Sequence, residues 1–221
     1  MDLSSARVNR NRFLTITTPH LEYRYSGSEP TWSNAYLWGP LREELSRLSG
    51  PRPRIFEVGC GNGATAGMLH ALGHGVVAID PSSSGVEMAR RSHPQIAFAE
   101  GSAYDDLAAR YGRFPVVVSL EVVEHCYSPR HYAKTVHDLL EEGGTAIIST
   151  PYHGYLKNLC IALAGKCDSH YGALWDGGHI KFWSERTLRT LLEEAGFKSI
   201  RFRRAGRVGP LSKSMIAIAR R

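Results

Sequence analysis

The sequence predicts an α/β fold: a doubly wound, mostly parallel sheet covered by helices on both faces. Two observations carry this expectation. Short, continuously apolar segments alternate with helical patterns between residues 54 and 150, and the first of those segments runs directly into Gly59, Gly61 and Gly63. Apolar strands without a polar face need cover on both sides, and helices in right-handed crossovers supply it.

The elements follow in order. Residues 1–30 are polar and mixed, with no clear period. Over 32–48, Tyr36, Leu37, Leu41, Leu45 and Leu48 recur at helical spacing. Pro40 lies inside that pattern and is expected to split it, and Ser49-Gly50-Pro51 ends it. The first strand is expected over 54–58, with a helix running to about Leu72, and the second over 75–80. A helix over 83–91 and a third strand over 95–99 come next. Pro115 to Leu120 has the most continuous apolar run and makes the fourth strand. A helix over 129–140 should stop at Gly143-Gly144, and Pro151 closes a fifth strand over 145–150. Residues 151–183 differ in character, being rich in Tyr, His, Trp and Gly, with a short helix over 156–164. A last helix over 184–195 has Ser184 as N-cap and Gly196 as its stop. Two closing strands, 198–204 and 213–219, flank a turn with Gly206, Gly209 and Pro210.

A chain of 221 residues suits one domain, with residues 1–50 as an N-terminal helical cap and 151–183 as a substrate-capping insert. Hydrophobic residues at 43% and charged residues at 22% exclude disordered and fibrous classes. No apolar run approaches the roughly 20 residues of a membrane span. The opening Met1-Asp2-Leu3-Ser4-Ser5-Ala6-Arg7 lacks the apolar stretch of a secretory leader, so a cytoplasmic protein is expected. Cys60, Cys126, Cys160 and Cys167 form no Cys-x-x-Cys pair, which leaves reduced, mostly buried thiols. The net charge is +6, yet residues 197–221 alone hold eight basic side chains and no acidic one. That tail suits nucleic acid or an acidic substrate. The alternation of Ile200 and Phe202 with Arg201 and Arg203 favours a solvated strand face.

Glu57-Val58-Gly59-Cys60-Gly61-Asn62-Gly63 is a strand-to-helix turn whose glycines let the backbone bend sharply and approach a ligand. Asp80 ends the next strand, 21 residues after Gly59, where an acid hydrogen-bonds ribose hydroxyls. The glycines alone also fit a dinucleotide fingerprint.

Together with Glu121-Val122-Val123-Glu124-His125, these motifs resemble class I S-adenosylmethionine methyltransferases, in particular the ubiquinone-biosynthesis O-methyltransferase branch, over roughly residues 36–204. The resemblance implies a seven-stranded sheet with an antiparallel last strand. It places Glu57 near the methionine amino group and Gly59, Gly61 and Gly63 beneath the cofactor. It also puts Asp80 and Pro81 at the ribose end, Leu120 beside the cofactor body, and Arg42 in contact with it. The family often has Asp after the third strand; here Ser102 and Ala103 take that place against the adenine. The cofactor has no pyrophosphate, and the glycine loop has no Lys or Arg.

Glu121, Glu124 and His125 follow the fourth strand at the same sheet edge, and His179 lies downstream in Gly177-Gly178-His179. Two carboxylates and imidazoles suit Mg²⁺ or Mn²⁺, and the imidazoles admit Fe²⁺ or Zn²⁺. The set also resembles the Glu-x-x-Glu-His…His site of small-RNA 2′-O-methyltransferases. Three readings stand: a metal site, His125 as a metal-free general base, and glutamates that only order the loop. Glu121, His125 and His179 are the catalytic candidates, with His153 as a second base.

In the insert, Tyr152, Tyr155, His170, Tyr171, Trp175 and Phe182, with Trp183 and Asp176, follow the fifth strand and are expected to cap the substrate and exclude water. The expected function is methyl transfer to a hydroxyl of a small-molecule acceptor, with nucleic acid a less favoured partner. RNA 2′-O-methylation, nicotinamide-dependent oxidoreduction and a non-catalytic cofactor-binding module are the alternatives.

Overall fold

The computed structural model describes residues 25, 27, 29–48, 52–207 and 209–221. Residues 1–24 of the expected N-terminal cap and the stop at Ser49-Gly50-Pro51 lie outside the described residues.

The seven strands are β1 (Ile55–Val58), β2 (Val76–Asp80), β3 (Ala97–Glu100), β4 (Phe114–Leu120), β5 (Leu140–Pro151), β6 (Lys198–Ala205) and β7 (Ser214–Arg220). They form one sheet in the order β3-β2-β1-β4-β5-β7-β6, and β7 runs antiparallel to both its neighbours. The chain leaves β1 toward β2 and β3, then returns to the far side of β1 as β4. A crevice therefore opens at the carboxyl ends of β1 and β4, where strand order reverses.

The described residues include eight α-helices: α1 (Asn34–Ser46), α2 (Ala64–Ala71), α3 (Ser83–Ser92), α4 (Leu107–Tyr111), α5 (Pro129–Asp138), α6 (Tyr155–Leu163), α7 (Cys167–Tyr171) and α8 (Glu185–Glu194), of which α6 and α7 belong to the insert. Successive β4 side chains serve opposite faces, as strand geometry requires. Val116 and Val118 join the core under α1, α2 and α3, while Val117 joins Tyr132 and Val136 of α5 and Leu188 of α8. Ser184 caps α8 with a reciprocal pair: its Oγ accepts from Thr187 N, and its own N–H donates to Thr187 Oγ1.

Several elements depart from expectation. Pro40 does not split α1; burial of Leu37, Leu41 and Leu45 along one face holds the helix through the missing hydrogen bond. α5 ends at Asp138, and β5 starts early, at Leu140. An irregularity lets Phe114 pair with Leu140 while Val116 pairs with Thr145, with Gly143 at φ +74° inside the bulge. α4 and α7, five residues each, are too short to leave a periodic signature. Cys60 and Cys126 are buried, but Cys160 is exposed and Cys167 half-buried, so the thiols are less sequestered than expected.

The basic tail is neither a free patch nor a plain solvated face. Arg201 and Arg203 reach the buried Glu44 of α1, and Arg204 pairs with Glu185. Among the described residues, no helix is long and apolar enough to cross a membrane.

Candidate active site

A cavity of about 900 Å³ occupies the crevice at the carboxyl ends of β1, β2 and β4. Gly59 and Gly61 form its floor, both at positive φ. A Cβ on Gly59 would lie 2.3 Å from Val122 Cγ2, so the loop passes directly under the β4 exit only because that side chain is missing. Gly61 N–H donates to Asp80 Oδ2 at 2.7 Å, and Ser82 N–H donates to Asp80 Oδ1 at 2.9 Å. Asp80 thus ties the glycine loop to the end of β2, with Pro81 beside it on the cavity wall.

Glu57 is buried at 2% exposure, lines the cavity, and keeps Oε2 without a hydrogen-bond partner among the described residues. Burial, then the Asp80 charge, pushes its pKa up to about 8. Leu120 also lines the cavity. Ser102 and Ala103 line a second cavity of about 150 Å³, which shares Gly59, Pro81, Val122 and His125 with the first.

Two of the expected cofactor contacts fall elsewhere. Gly63 is the αL N-cap of α2 and faces Ala89 of α3, 2.6 Å from a built Cβ; it serves helix packing and is not on the cavity wall. Arg42 is exposed, lies over the Trp38 ring at 5.9 Å and is absent from the wall. α1 reaches the cavity wall through Asn34 and Tyr36, while Trp38 donates its Nε1–H to the lining residue Thr65.

Glu124, His125 and His179 bring three ligand atoms within 4.8 Å of one another. β4 delivers the first two. The third arrives because Ile180 and Lys181 both donate their N–H to the Glu124 carbonyl, and Tyr152 bridges to Trp183, which clasps the insert against the end of β4. His125 Nδ1 lies 3.0 Å from the Gly177 carbonyl and 3.2 Å from that of Gly178. Carbonyls only accept, so Nδ1 carries the proton and Nε2 keeps its lone pair. Among the described residues, both oxygens of Glu124 are buried without a hydrogen bond, and the buried Thr150 hydroxyl is close enough only to pull against the rise in its pKa.

Glu121 does not join the three. Its backbone stands at φ +55°, uncommon outside glycine, which turns its carboxylate to accept from Ser149 Oγ at 2.7 Å and Ser214 Oγ at 3.2 Å.

The family profile described as a methyltransferase domain matches residues 32–201. The chain belongs to the S-adenosylmethionine-dependent methyltransferase family. A ubiquinone biosynthesis O-methyltransferase of Ruegeria pomeroyi is 36% identical over 176 residues, covering 75% of this chain and 70% of that one. Another, from Cereibacter sphaeroides, is 33% identical over 138 residues, 59% of this chain and 56% of its own length. The matches thus span between about half and seven-tenths of these relatives. In fold, the magnesium protoporphyrin IX methyltransferase of Synechocystis, solved with bound S-adenosylhomocysteine, superposes with a TM-score of 0.59 at 22% identity, over 84% of this chain and 79% of that one.

In this methyltransferase, burial pushes the two acids up and the two imidazoles down from their ordinary pKa values. Glu124 is pushed well above the carboxylate range, by burial first and then by the Glu121 charge. Burial raises Glu121 too, against the hydrogen bonds from Ser149 and Ser214. His179 falls to about 4, through burial and then the charges of His125 and His170. His125 is lowered by burial, against the pull of its two carbonyl partners.

The insert divides between two tasks. Tyr152 and Trp183 belong to the core, while Trp175, His153 and His170 line the cavity. Tyr155 points outward at 79% exposure. Sequence reasoning missed Tyr36, whose OH hydrogen-bonds Ser214 Oγ at 3.2 Å and so joins the Glu121 network. Its pKa rises to about 12 through burial and then Glu121. In the sequence it shows only as a member of the apolar stripe of α1. Among the cavity's cations, Lys157 carries no signal in the sequence, whereas Arg207 and Lys213 belong to the basic tail that suits an acidic partner.

Proposed function

We propose that this methyltransferase moves the methyl group of S-adenosylmethionine to a hydroxyl of a small molecule, with a divalent cation held by Glu124, His125 and His179. The observation that carries the reading is the Glu124 carboxyl: two buried oxygens without a hydrogen bond, beside two imidazoles with low pKa values. An unpaired buried acid is costly, and a cation with neutral imidazole ligands offsets that cost. The relatives' names, O-methyltransferases, agree with an oxygen acceptor.

For the cofactor, Glu57 fits an ammonium through its unpartnered Oε2, and Asp80 and Pro81 suit the ribose end. Ser102 and Ala103 line the smaller cavity beyond them, which suits the adenine. Bound there, the cofactor supplies an electrophilic sulfonium methyl group. A divalent ion at the three ligands would supply a lowered pKa for the acceptor hydroxyl. The chain's own residues align and desolvate: Leu120 and Val122 wall the reaction space, and Trp175 covers it from the insert. Without a cation, His125 Nε2 is the group able to take the hydroxyl proton.

RNA as acceptor is weakened on one of its two supports, because Arg201, Arg203 and Arg204 of the basic tail are spent on Glu44 and Glu185. Family membership sets the nicotinamide reading aside.

The test is calorimetric titration with S-adenosylhomocysteine, followed by methyl-transfer assays on phenolic acceptors in chelator and with Mg²⁺, Mn²⁺, Fe²⁺ or Zn²⁺ restored. Activity should vanish in chelator and return with one of these ions. Full activity in chelator would remove the metal and leave His125 as base.

A further inference from the structure

We infer that the acceptor carries an anionic group, a carboxylate or a phosphate, seated between Lys157, Arg207 and Lys213 at the β5–β7 end of the cavity. This rests on the methyltransferase reading and adds the substrate's charge to it.

The three cations come from different places. Lys157 is on α6, Arg207 sits in the turn after β6, and Lys213 directly precedes β7. All three line the same cavity as Glu121, His125 and His179. Among the described residues, none of the three has a carboxylate within ion-pair distance, although Arg201, Arg203 and Arg204 of β6 are all paired.

Lys157 is held in place. Its Nζ donates to the Tyr152 carbonyl at 2.7 Å and to the Lys213 carbonyl at 3.3 Å, which leaves one of its three donors. Burial, then the Arg207 charge, lowers its pKa to about 8, so it feels a second cation before it feels any anion. The Lys213 ammonium rests on aromatic faces, 4.1 Å from the Trp32 ring centroid and 5.1 Å from that of Tyr36. The guanidinium of Arg207 has no partner among the described residues.

One acid opposes them. Glu121 raises the Lys157 pKa, but only as the weakest of three influences, and its oxygens already accept from Ser149 and Ser214. The two remaining lining acids of the floor, Glu57 and Asp80, are at the glycine-loop end. The cavity is thus acidic where a cationic cofactor fits and basic where the acceptor enters. Two cations held close together without a counter-charge, as Lys157 and Arg207 are, repel one another, and an incoming anion removes that cost. Arg207 supplies a planar fork and Lys157 a point charge, a combination that suits either a carboxylate or a phosphate.

The experiment uses the full chain saturated with S-adenosylhomocysteine and three probes of similar size: benzoate, phenyl phosphate and neutral benzyl alcohol. Calorimetry or ligand-observed NMR should show at least one anion binding about tenfold tighter than benzyl alcohol, with the preference shrinking as salt rises; whichever anion binds more tightly separates carboxylate from phosphate. Arg207→Met, on an exposed turn, and the double variant with Lys157→Met should cut that preference about tenfold and leave the S-adenosylhomocysteine Kd unchanged. Circular dichroism melts confirm that both variants fold, and Arg207→Met alone carries the test if the double variant does not. Equal binding of the three probes, no binding by any of them, or a preference untouched in Arg207→Met overturns the proposal. A parallel rise in the S-adenosylhomocysteine Kd also overturns it, because the cations would then serve the cofactor's own carboxylate. Failure of the wild-type protein to bind S-adenosylhomocysteine at all overturns the methyltransferase reading itself.

Discussion

Oε1 of Glu124 lies 4.0 Å from Nε2 of His179, one at the end of β4 and the other in the insert that follows β5. His179 is neutral near pH 7, since its pKa is held at about 4, so the contact is not an ion pair. It is a buried acid beside a lone-pair donor. Glu124→Gln should therefore reduce methyl transfer by roughly 100-fold or more, by removing a charged ligand. In chelator the same variant should melt higher than the wild type at pH 8, because an unpartnered buried carboxyl is replaced by an uncharged amide. Thermal melts in chelator and single-turnover assays with restored Mg²⁺ check both halves. A variant that keeps full activity would show that the cluster only orders the loop.

Cofactor binding should depend on pH through Glu57. The group has a pKa of about 8, so it is mostly protonated at pH 6 and largely ionised only above pH 8. An ammonium beside it favours the ionised form, so binding releases a proton. Affinity for S-adenosylhomocysteine should rise with pH between 6 and 8, by up to about tenfold per unit. The folded protein alone has the opposite trend. Its raised Glu57 pKa gives stability that is complete below about pH 4.5 and is lost as pH rises toward 8. Titrations in buffers of different ionisation enthalpy count the proton. Glu57→Gln should bind with no release and no slope.

The two predictions rest on residues that were legible in the sequence to different degrees. Glu57 comes from the family resemblance, whereas Asp80 is visible because local chemistry marks it: an acid ending a strand, at a fixed offset from the glycines. Glu124 and His125 show for the same reason. The partnership with His179 depends on the Glu124 carbonyl catching Ile180 and Lys181, a backbone contact that no side-chain pattern announces. The strand end and the family resemblance group Glu121 with its neighbours, but its left-handed backbone directs the carboxylate to Ser149 and Ser214. Arg42 was placed by resemblance, but its position on α1 faces solvent. Strands buried on both faces were plain from their apolar runs, whereas the bulge in β5 and the five-residue helices depend on tertiary pairing.

Trp175 separates capping from packing. It is 48% exposed, lines the cavity, and stands with ring centroids 5.1 Å from His179 and 6.1 Å from His125. Trp175→Ala should raise the acceptor KM by about tenfold while the S-adenosylhomocysteine Kd stays within about twofold. Trp183→Ala, by contrast, removes a core side chain and should lower the melting temperature first. Steady-state kinetics beside cofactor titration distinguishes the two, and equal changes in KM and Kd would make Trp175 a packing residue.

Glu44 is where the basic tail meets the first helix. Its side chain is fully buried on α1 and accepts from Arg201, from Arg203 at 3.0 Å and from Arg47 at 2.8 Å. The Arg201 hydrogen bond, against the effect of burial, holds its pKa below the usual carboxylate range. Glu44→Gln keeps the shape but removes the charge that three guanidinium groups share, and those arginines are partly exposed, so water recovers some of the loss. A destabilisation on the order of 2 kcal/mol follows, or a fall in Tm of roughly 4–8 °C for a chain of this length. The sign with pH is fixed by the depressed pKa: the contribution is present above about 4.5 and disappears as pH falls through the lower folded-state value. The wild type and Glu44→Gln should therefore converge in stability in strong acid and differ most near neutrality. Because Arg201 and Arg203 belong to β6, the variant should also free positive charge at the sheet edge, and its binding to single-stranded RNA should rise above that of the wild type at low salt. A wild type that already binds RNA as tightly would show that Glu44 does not mask this surface.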